Sequence, residues 1–284
     1  MWLSWSAAAL ITCGLAAVTL TSRRITHPWA RGVTTSTQEA AIILALYTFW
    51  QKGSDIAVTH ATGAVGHALW VRDVERLMHL PSEVAVQRAV LPHPLVVQAL
   101  NEFYAIVHVP ALIAFLLWLF VRHRDQYPRW RNIGAFMTGV SLLIQMIPVA
   151  PPRLLPSLGF VDTAVSYRES VYGTGGLKIG PQLAAMPSVH VAWAVLIAVA
   201  VITASTSPRR WWILVHPALT VFAVVATANH WWLDGIVAAG LLPIGWVIER
   251  RVSLIVHRRA SRSLPPPPTE TTPNQSPSRA AVDI

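Results

Sequence analysis

Three short polar clusters carry the side chains of this 284-residue chain that could do chemistry: Ile147-Pro-Val-Ala-Pro-Pro-Arg153, Met186-Pro-Ser-Val-His190 and Asn229-His230-Trp-Trp-Leu-Asp234. His230 and Asp234 are four residues apart, so if this stretch opens a helix their side chains share one face and can meet. A carboxylate that accepts from one imidazole nitrogen fixes the tautomer and leaves the lone pair of the other nitrogen free to attack. Taken singly, the pair reads equally as a helix-end His and Asp that only pair or cap. Pro187 and Ser188 have the form of a helix start, since Ser caps well and Pro is tolerated in a first turn. Free N–H groups at such an end, with the positive end of the helix dipole, suit a phosphate. His190 would then sit beside that phosphate and could protonate a leaving alcohol oxygen; without a phosphate it is an interfacial histidine with no task. Arg153 follows two prolines that end a helix, and its planar fork suits two phosphate oxygens. An arginine there also reads as a lipid-headgroup anchor. Lys178, in the loop TGGLKIG, is a further phosphate candidate.

The elements that must position these clusters are apolar. Hydrophobic residues make up 54% of the chain and charged ones 12%, with 13 Trp, which puts the protein in a bilayer. The net charge of +9 does not point to nucleic acid, because the basic residues form short clusters between apolar runs. Seven windows approach the length of a membrane-crossing helix: Trp2 to Leu20, Glu39 to Val58, Pro94 to Val121, Ile133 to Val149, His190 to Ala204, Trp211 to Ala228 and Leu233 to Ile248. The first could be a signal peptide, but no basic region precedes it and Arg23 and Arg24 follow it, so a retained helix is expected. Most of the 22 Lys and Arg lie in the segments Ser22 to Gln38, Arg122 to Arg131, Ser207 to Arg210 and Glu249 to the C-terminus. By the positive-inside rule these face the cytoplasm, which puts the N-terminus and all three polar clusters on the outer side. Cys13 lies inside the first apolar run and, as the single cysteine, can form no intramolecular disulfide.

The order PPRLL, AAMPSVHVAWA, NHWWLD resembles the type 2 phosphatidic acid phosphatase superfamily, and within it the branch of inositol phosphorylceramide synthases (inositolphosphotransferases) and their bacterial relatives. The resemblance covers roughly Asp73 to Ile248, including Tyr104 and His108 upstream. It implies that His230 attacks phosphorus to form a phosphohistidine, that Asp234 orients it, and that His190 protonates the leaving group. Arg153 and Ser188 would bind phosphate oxygens, and Tyr104 and His108 would line the substrate pocket. Four positions depart from the superfamily pattern: Met146 replaces a basic residue seven before the arginine, Ala223 and Val224 replace a Ser-Arg pair, and Val189 replaces a common Gly. Fewer phosphate-binding cations fit the synthase-like branch better than a simple phosphatase.

The expected fold is therefore an all-α polytopic membrane bundle, with six core transmembrane helices plus one N-terminal helix. Residues 1–38 form that helix and a cytoplasmic loop, 39–250 the catalytic membrane domain, and 251–284 a basic, then Pro-rich, disordered cytoplasmic tail. Trp70 to Leu91 reads as an amphipathic interfacial segment or as a solvated loop. The expected activity is that of a lipid phosphatase or phosphotransferase in the cell membrane, independent of metals and cofactors. Its partners would be a lipid phosphate or phospholipid, the bilayer and, for transfer, an alcohol acceptor. A transporter would thread ionisable groups through the midplane and show inverted repeats, neither of which is evident. A non-catalytic scaffold would make the four clustered residues a coincidence, and a metal hydrolase lacks a recognisable ligand motif.

Overall fold

The structure, a computed structural model, describes residues 4–57, 62–169 and 182–262. Lys178 and the Pro-rich tail from Ser263 lie outside the described residues. The described chain is helical, and its one extended pairing is an isolated parallel bridge between Val149 and Ala184.

Helices α1 (Trp5–Ser22) and α2 (Pro28–Ala57) pair antiparallel. Apolar faces give little drive for association in lipid, and here hydroxyls do the joining. Thr19 Oγ1 lies 2.8 Å from Thr37 Oγ1, and Ser22 Oγ lies 2.7 Å from Thr34 Oγ1. Because α2 opens on Pro28, much of the segment expected as a cytoplasmic loop is helical. The hairpin meets the remaining helices through an ion pair between Glu39 on α2 and Arg131 on α7 (Tyr127–Ile144).

Trp70 to Leu91 folds as parts of two short helices, α3 (Ala64–Leu77) and α4 (Glu83–Val90). Each buries one face: Ala64, Ala68, Val71 and Glu75 on α3, and Glu83, Gln87 and Val90 on α4. The third apolar window is broken into α5 (Pro94–Ile106) and α6 (His108–Arg122), bent by 49°. Pro110 explains the break, since it has no N–H for the Ile106 carbonyl and its ring crowds that turn. The bend brings His108 Nδ1 to 3.3 Å from the Tyr104 carbonyl.

The core gathers α6, α7, α9 (Val189–Ala204), α10 (Val215–Ala226) and α11 (Trp232–Arg262) around Phe115, Leu119, Trp130, Ile133, Met137, Leu196 and Val224. Helix α9 is buried on most sides, and its alanines 192, 194, 198 and 200 let neighbouring backbones come close. Gly134 serves the same end on α7, because a Cβ there would stand 2.9 Å from Leu196 Cδ2. Helices occupy all seven apolar windows. α1 and the Trp232–Val256 part of α11 are each long and apolar enough to cross a membrane, and the bent α5–α6 pair makes a third span if taken as one. α9 has 16 residues, and α10 has 12 after a 3-10 turn at Pro208–Leu214, so both fall short of the roughly 20 that a full crossing takes.

Candidate active site

The site forms where the C-terminal ends of α7 and α10 meet the N-terminal ends of α9 and α11. Gln145, closing α7, donates from Nε2 to the Pro187 carbonyl at 3.1 Å, and the Ser188 N–H donates to the Asp234 carbonyl at 3.1 Å. The Val149 N–H donates to the Leu183 carbonyl at 2.7 Å and the Ala185 N–H donates to the Val149 carbonyl at 3.2 Å, a pairing that draws the segment after α7 alongside the entry to α9. Ser188 caps α9 as its sequence implies, its Oγ accepting from the Val191 N–H at 3.4 Å.

His230 and Asp234 meet, but not as two residues on one helical face. Helix α11 begins at Trp232, so His230 precedes the capping position and Asp234 lies in the first turn. Asp234 Oδ2 reaches back to accept from the Trp231 N–H at 2.9 Å, half of a capping box, and the same oxygen lies 3.2 Å from His230 Nδ1. A second acceptor, the Ala185 carbonyl, stands 2.8 Å from that Nδ1. Two acceptors on Nδ1 place the hydrogen there and the lone pair on Nε2. His230 Nε2 is shielded and has no hydrogen-bond partner within the protein.

His190, in the first turn of α9, stands with its ring centroid 5.8 Å from that of His230. Its Nδ1 is likewise shielded and without a partner. Tyr104 packs 4.5 Å from the His190 ring and 6.3 Å from that of His230, and His108 lies edge-on to His190 at 4.7 Å. His108 Nε2 is 3.3 Å from Thr220 Oγ1 on α10.

Arg153 is tied to the same loop. Its N–H donates to the Ala228 carbonyl at 2.8 Å, its Nε to Asn229 Oδ1 at 3.0 Å, and its Nη1 to Asp162 Oδ2 at 3.1 Å. Ala228 has φ +56°, a left-handed conformation that costs an alanine about 1–2 kcal/mol. Backbone bonds from the N–H groups of Ala228 and Asn229 to Val225 and Val224, together with the bond from Arg153, hold it there.

Of the residues expected at the site, His230, Asp234, His190, Ser188, Tyr104, His108 and Arg153 converge, and Lys178 lies outside the described residues. Sequence reading missed Asp162, Asn229 as the clamp on Arg153, and the Ala185 carbonyl. Asp162 stands in the ordinary loop Phe160-Val-Asp-Thr163 and also caps a four-residue helix, α8 (Thr163–Ser166), so no local pattern singles it out. A buried imidazole with one nitrogen held by two acceptors and the other bare can act as a nucleophile, and a second imidazole across the gap can move a proton. The model of the PAP2 superfamily matches residues 69–248, more than half of the chain, and its limits enclose every one of these side chains. No curated protein and no solved structure matches the chain.

Proposed function

The chain belongs to the PAP2 superfamily, and from that premise we propose that it is a lipid phosphatase or phosphotransferase working through a phosphohistidine on His230. Membership by itself carries phosphatase-type chemistry on lipid phosphates. The observation that supports the covalent route is the bare Nε2 of His230 opposite an Nδ1 held by Ala185 and Asp234.

In the first step Nε2 donates its lone pair to phosphorus and the P–O bond to the lipid alcohol breaks. His190 gives its proton to that departing oxygen. In the second step water, or an alcohol acceptor, attacks phosphorus and yields a proton to His190, while the N–P bond breaks and its electron pair returns to Nε2. Arg153, the Ser188 hydroxyl and the free N–H groups opening α9 face the phosphate oxygens, where fixed donors act most strongly. Tyr104 and His108 flank the departing group, and Lys178 is a further phosphate contact. The three substituted motif positions, Met146, Ala223 and Val224, favour the synthase-like branch and transfer to an acceptor.

The reading also sets the site at the extracytoplasmic face of the cell membrane, with seven crossings and a cytoplasmic tail. The support is the polarity of the bundle. The histidine end joins the exits of α7 and α10 to the entries of α9 and α11, whereas Arg122, Arg129 and Arg209 lie at the opposite ends of α6, α7 and α9. At that basic end Arg129 Nε donates to Glu249 Oε2 at 3.1 Å.

The deciding assay is phosphate or head-group release from a panel of lipid phosphates and phospholipids by the detergent-purified protein, with and without alcohol acceptors. Because every step uses imidazoles and fixed donors, activity is expected to persist in excess chelator. Loss on chelation that a divalent ion restores would overturn the metal-independent mechanism.

Asp234→Asn separates charge from tautomer. An amide oxygen can still accept from Trp231 N–H and His230 Nδ1, and the Ala185 carbonyl independently retains the Nδ1 hydrogen. What disappears is the negative charge beside the imidazole as it turns cationic on bonding to phosphorus. We expect kcat to fall roughly 10²- to 10³-fold, short of the about 10⁴-fold that a wrong tautomer produces. An unchanged kcat would remove Asp234 from the mechanism.

A further inference from the structure

Behind Trp231, away from the histidines, the short helices α3 and α4 enclose a cavity of about 120 Å³. Arg72, Glu75, Arg76, Ser82 and Glu83 line it, with Trp231 as one wall. The two carboxyls are the unusual members, at 3% and 6% exposure. Carboxylates this deep are ordinarily paired with a cation. Arg72 instead bonds Asp73 at 2.9 Å, and Arg76 is exposed. Glu75 Oε2 and Glu83 Oε1 are both shielded and have no hydrogen-bond partner when each is counted as an ionised acceptor.

The other oxygen of Glu75 has a definite task. Oε1 accepts from the Leu233 N–H at 2.7 Å, in the first turn of α11 and directly before Asp234. Trp232 Nε1 donates to the Pro81 carbonyl at 2.7 Å, from the turn between α3 and α4. The α3–α4 pair therefore grips the start of the helix whose capping geometry sets Asp234 against His230. The same pair reaches the Arg153 side of the site, because the Gln87 amide exchanges two bonds with the Val161 backbone, adjacent to Asp162.

We infer that Glu75 holds a proton that it shares with Glu83, leaving the two with a single negative charge, and that this proton-bridged pair is the positioning device of the active site, seating the first turn of α11. Glu75 Oε2 carries the hydrogen and donates it to Glu83, and Glu75 Oε1 keeps the Leu233 amide. Two buried carboxylates lining one small cavity cannot both be ionised without strong repulsion. The charged groups facing the pair are Asp234 from α11, which adds to the repulsion, and Arg72 and Arg76 from α3 at the cavity mouth. Burial first, then the neighbouring Glu83, push the Glu75 carboxyl up to about 9. The folded protein thus binds this proton more tightly than the unfolded chain, whose value is near 4.5. Stability from the pair is complete below pH 4.5, declines as pH rises toward about 9, and is absent above it.

The inference rests on the proposed reaction only for its activity arm, so three readouts on full-length protein in detergent are combined. The first is the thermal midpoint between pH 5 and 9 for wild type and Glu75→Gln. The glutamine side chain is the isostere of the protonated acid, with a carbonyl for the Leu233 amide and an N–H for Glu83, so the wild-type midpoint is expected to fall with pH relative to the variant. The second is the infrared carbonyl band of a protonated carboxylic acid near neutral pH, expected in wild type and lost in Glu75→Gln. The third is lipid phosphate release at neutral pH: Glu75→Ala should lower kcat by about a hundredfold, the scale of a misplaced reacting group, and Glu75→Gln should restore most of it. Parallel midpoints, no acid band, or equal loss in the Gln and Ala variants would each overturn the shared proton. If wild type releases no phosphate from any lipid while the first two readouts come out as expected, the pair stands and the assigned reaction falls.

Discussion

His230→Ala should abolish turnover, with kcat on lipid phosphates falling on the order of 10⁶-fold, the scale seen when a covalent nucleophile is removed. Substrate affinity should change little, since Arg153, Ser188 and the opening of α9 remain. The size of the effect follows from the arrangement around the ring. The Ala185 carbonyl at 2.8 Å and Asp234 at 3.2 Å both face Nδ1, so the lone pair is committed to Nε2, and no other described side chain offers a bare nitrogen held in this way. Acid-labile, base-stable phosphate should accumulate on wild-type protein quenched during turnover and be absent from the variant. Substantial hydrolysis by His230→Ala, or phosphate trapped on another residue, would refute the assignment.

His190→Ala should lower kcat on lipid phosphates by about 10³-fold, within the range for loss of a general acid. The diagnostic is the leaving group. A lipid alkoxide is a poor one and needs the proton as the P–O bond breaks, whereas p-nitrophenolate leaves without help. On p-nitrophenyl phosphate the same variant should lose no more than about tenfold, and equal losses on both substrates would show that His190 binds phosphate and transfers no proton. Because His230 must start neutral and His190 protonated, wild type should follow a bell-shaped pH–rate profile, its limbs belonging to the coupled pair. Removing His190 should flatten the alkaline limb and spare the acidic one. A wild-type profile flat from pH 5 to 9 would contradict the division of roles.

Much of the fold was readable because apolar length is a local property. The windows starting near Trp2, Pro94 and Leu233 correspond to α1, the α5–α6 pair and α11. The bend between α5 and α6 was missed although Pro110 was in plain view, since a proline inside a long apolar run can be absorbed by neighbouring helices as readily as it can break the run. The stretch Trp70 to Leu91 reads in sequence as either an interfacial helix or a loop. Its charged residues Glu75 and Glu83 argue for solvent in sequence, but in the fold both are buried, Glu75 against the start of α11.

The chemistry divides along the same line. Composition, the order of the three clusters and the four-residue spacing of His230 and Asp234 determined by themselves that this is an apolar, helical protein with imidazole and carboxylate groups as its candidate site, because residue type and near-neighbour geometry need no distant partner. Even there the mode of contact was different, a capping reach from the first turn of α11 in place of a shared helical face. Only tertiary structure decided which atoms are free to react. The acceptor that fixes the His230 tautomer comes from 45 residues away, the clamp on Arg153 from 76, and the carboxyl seating α11 from 158. Such partners are chosen by how the ends of α7, α9, α10 and α11 pack against one another, a long-range balance of burial and hydrogen-bond satisfaction that no local pattern encodes.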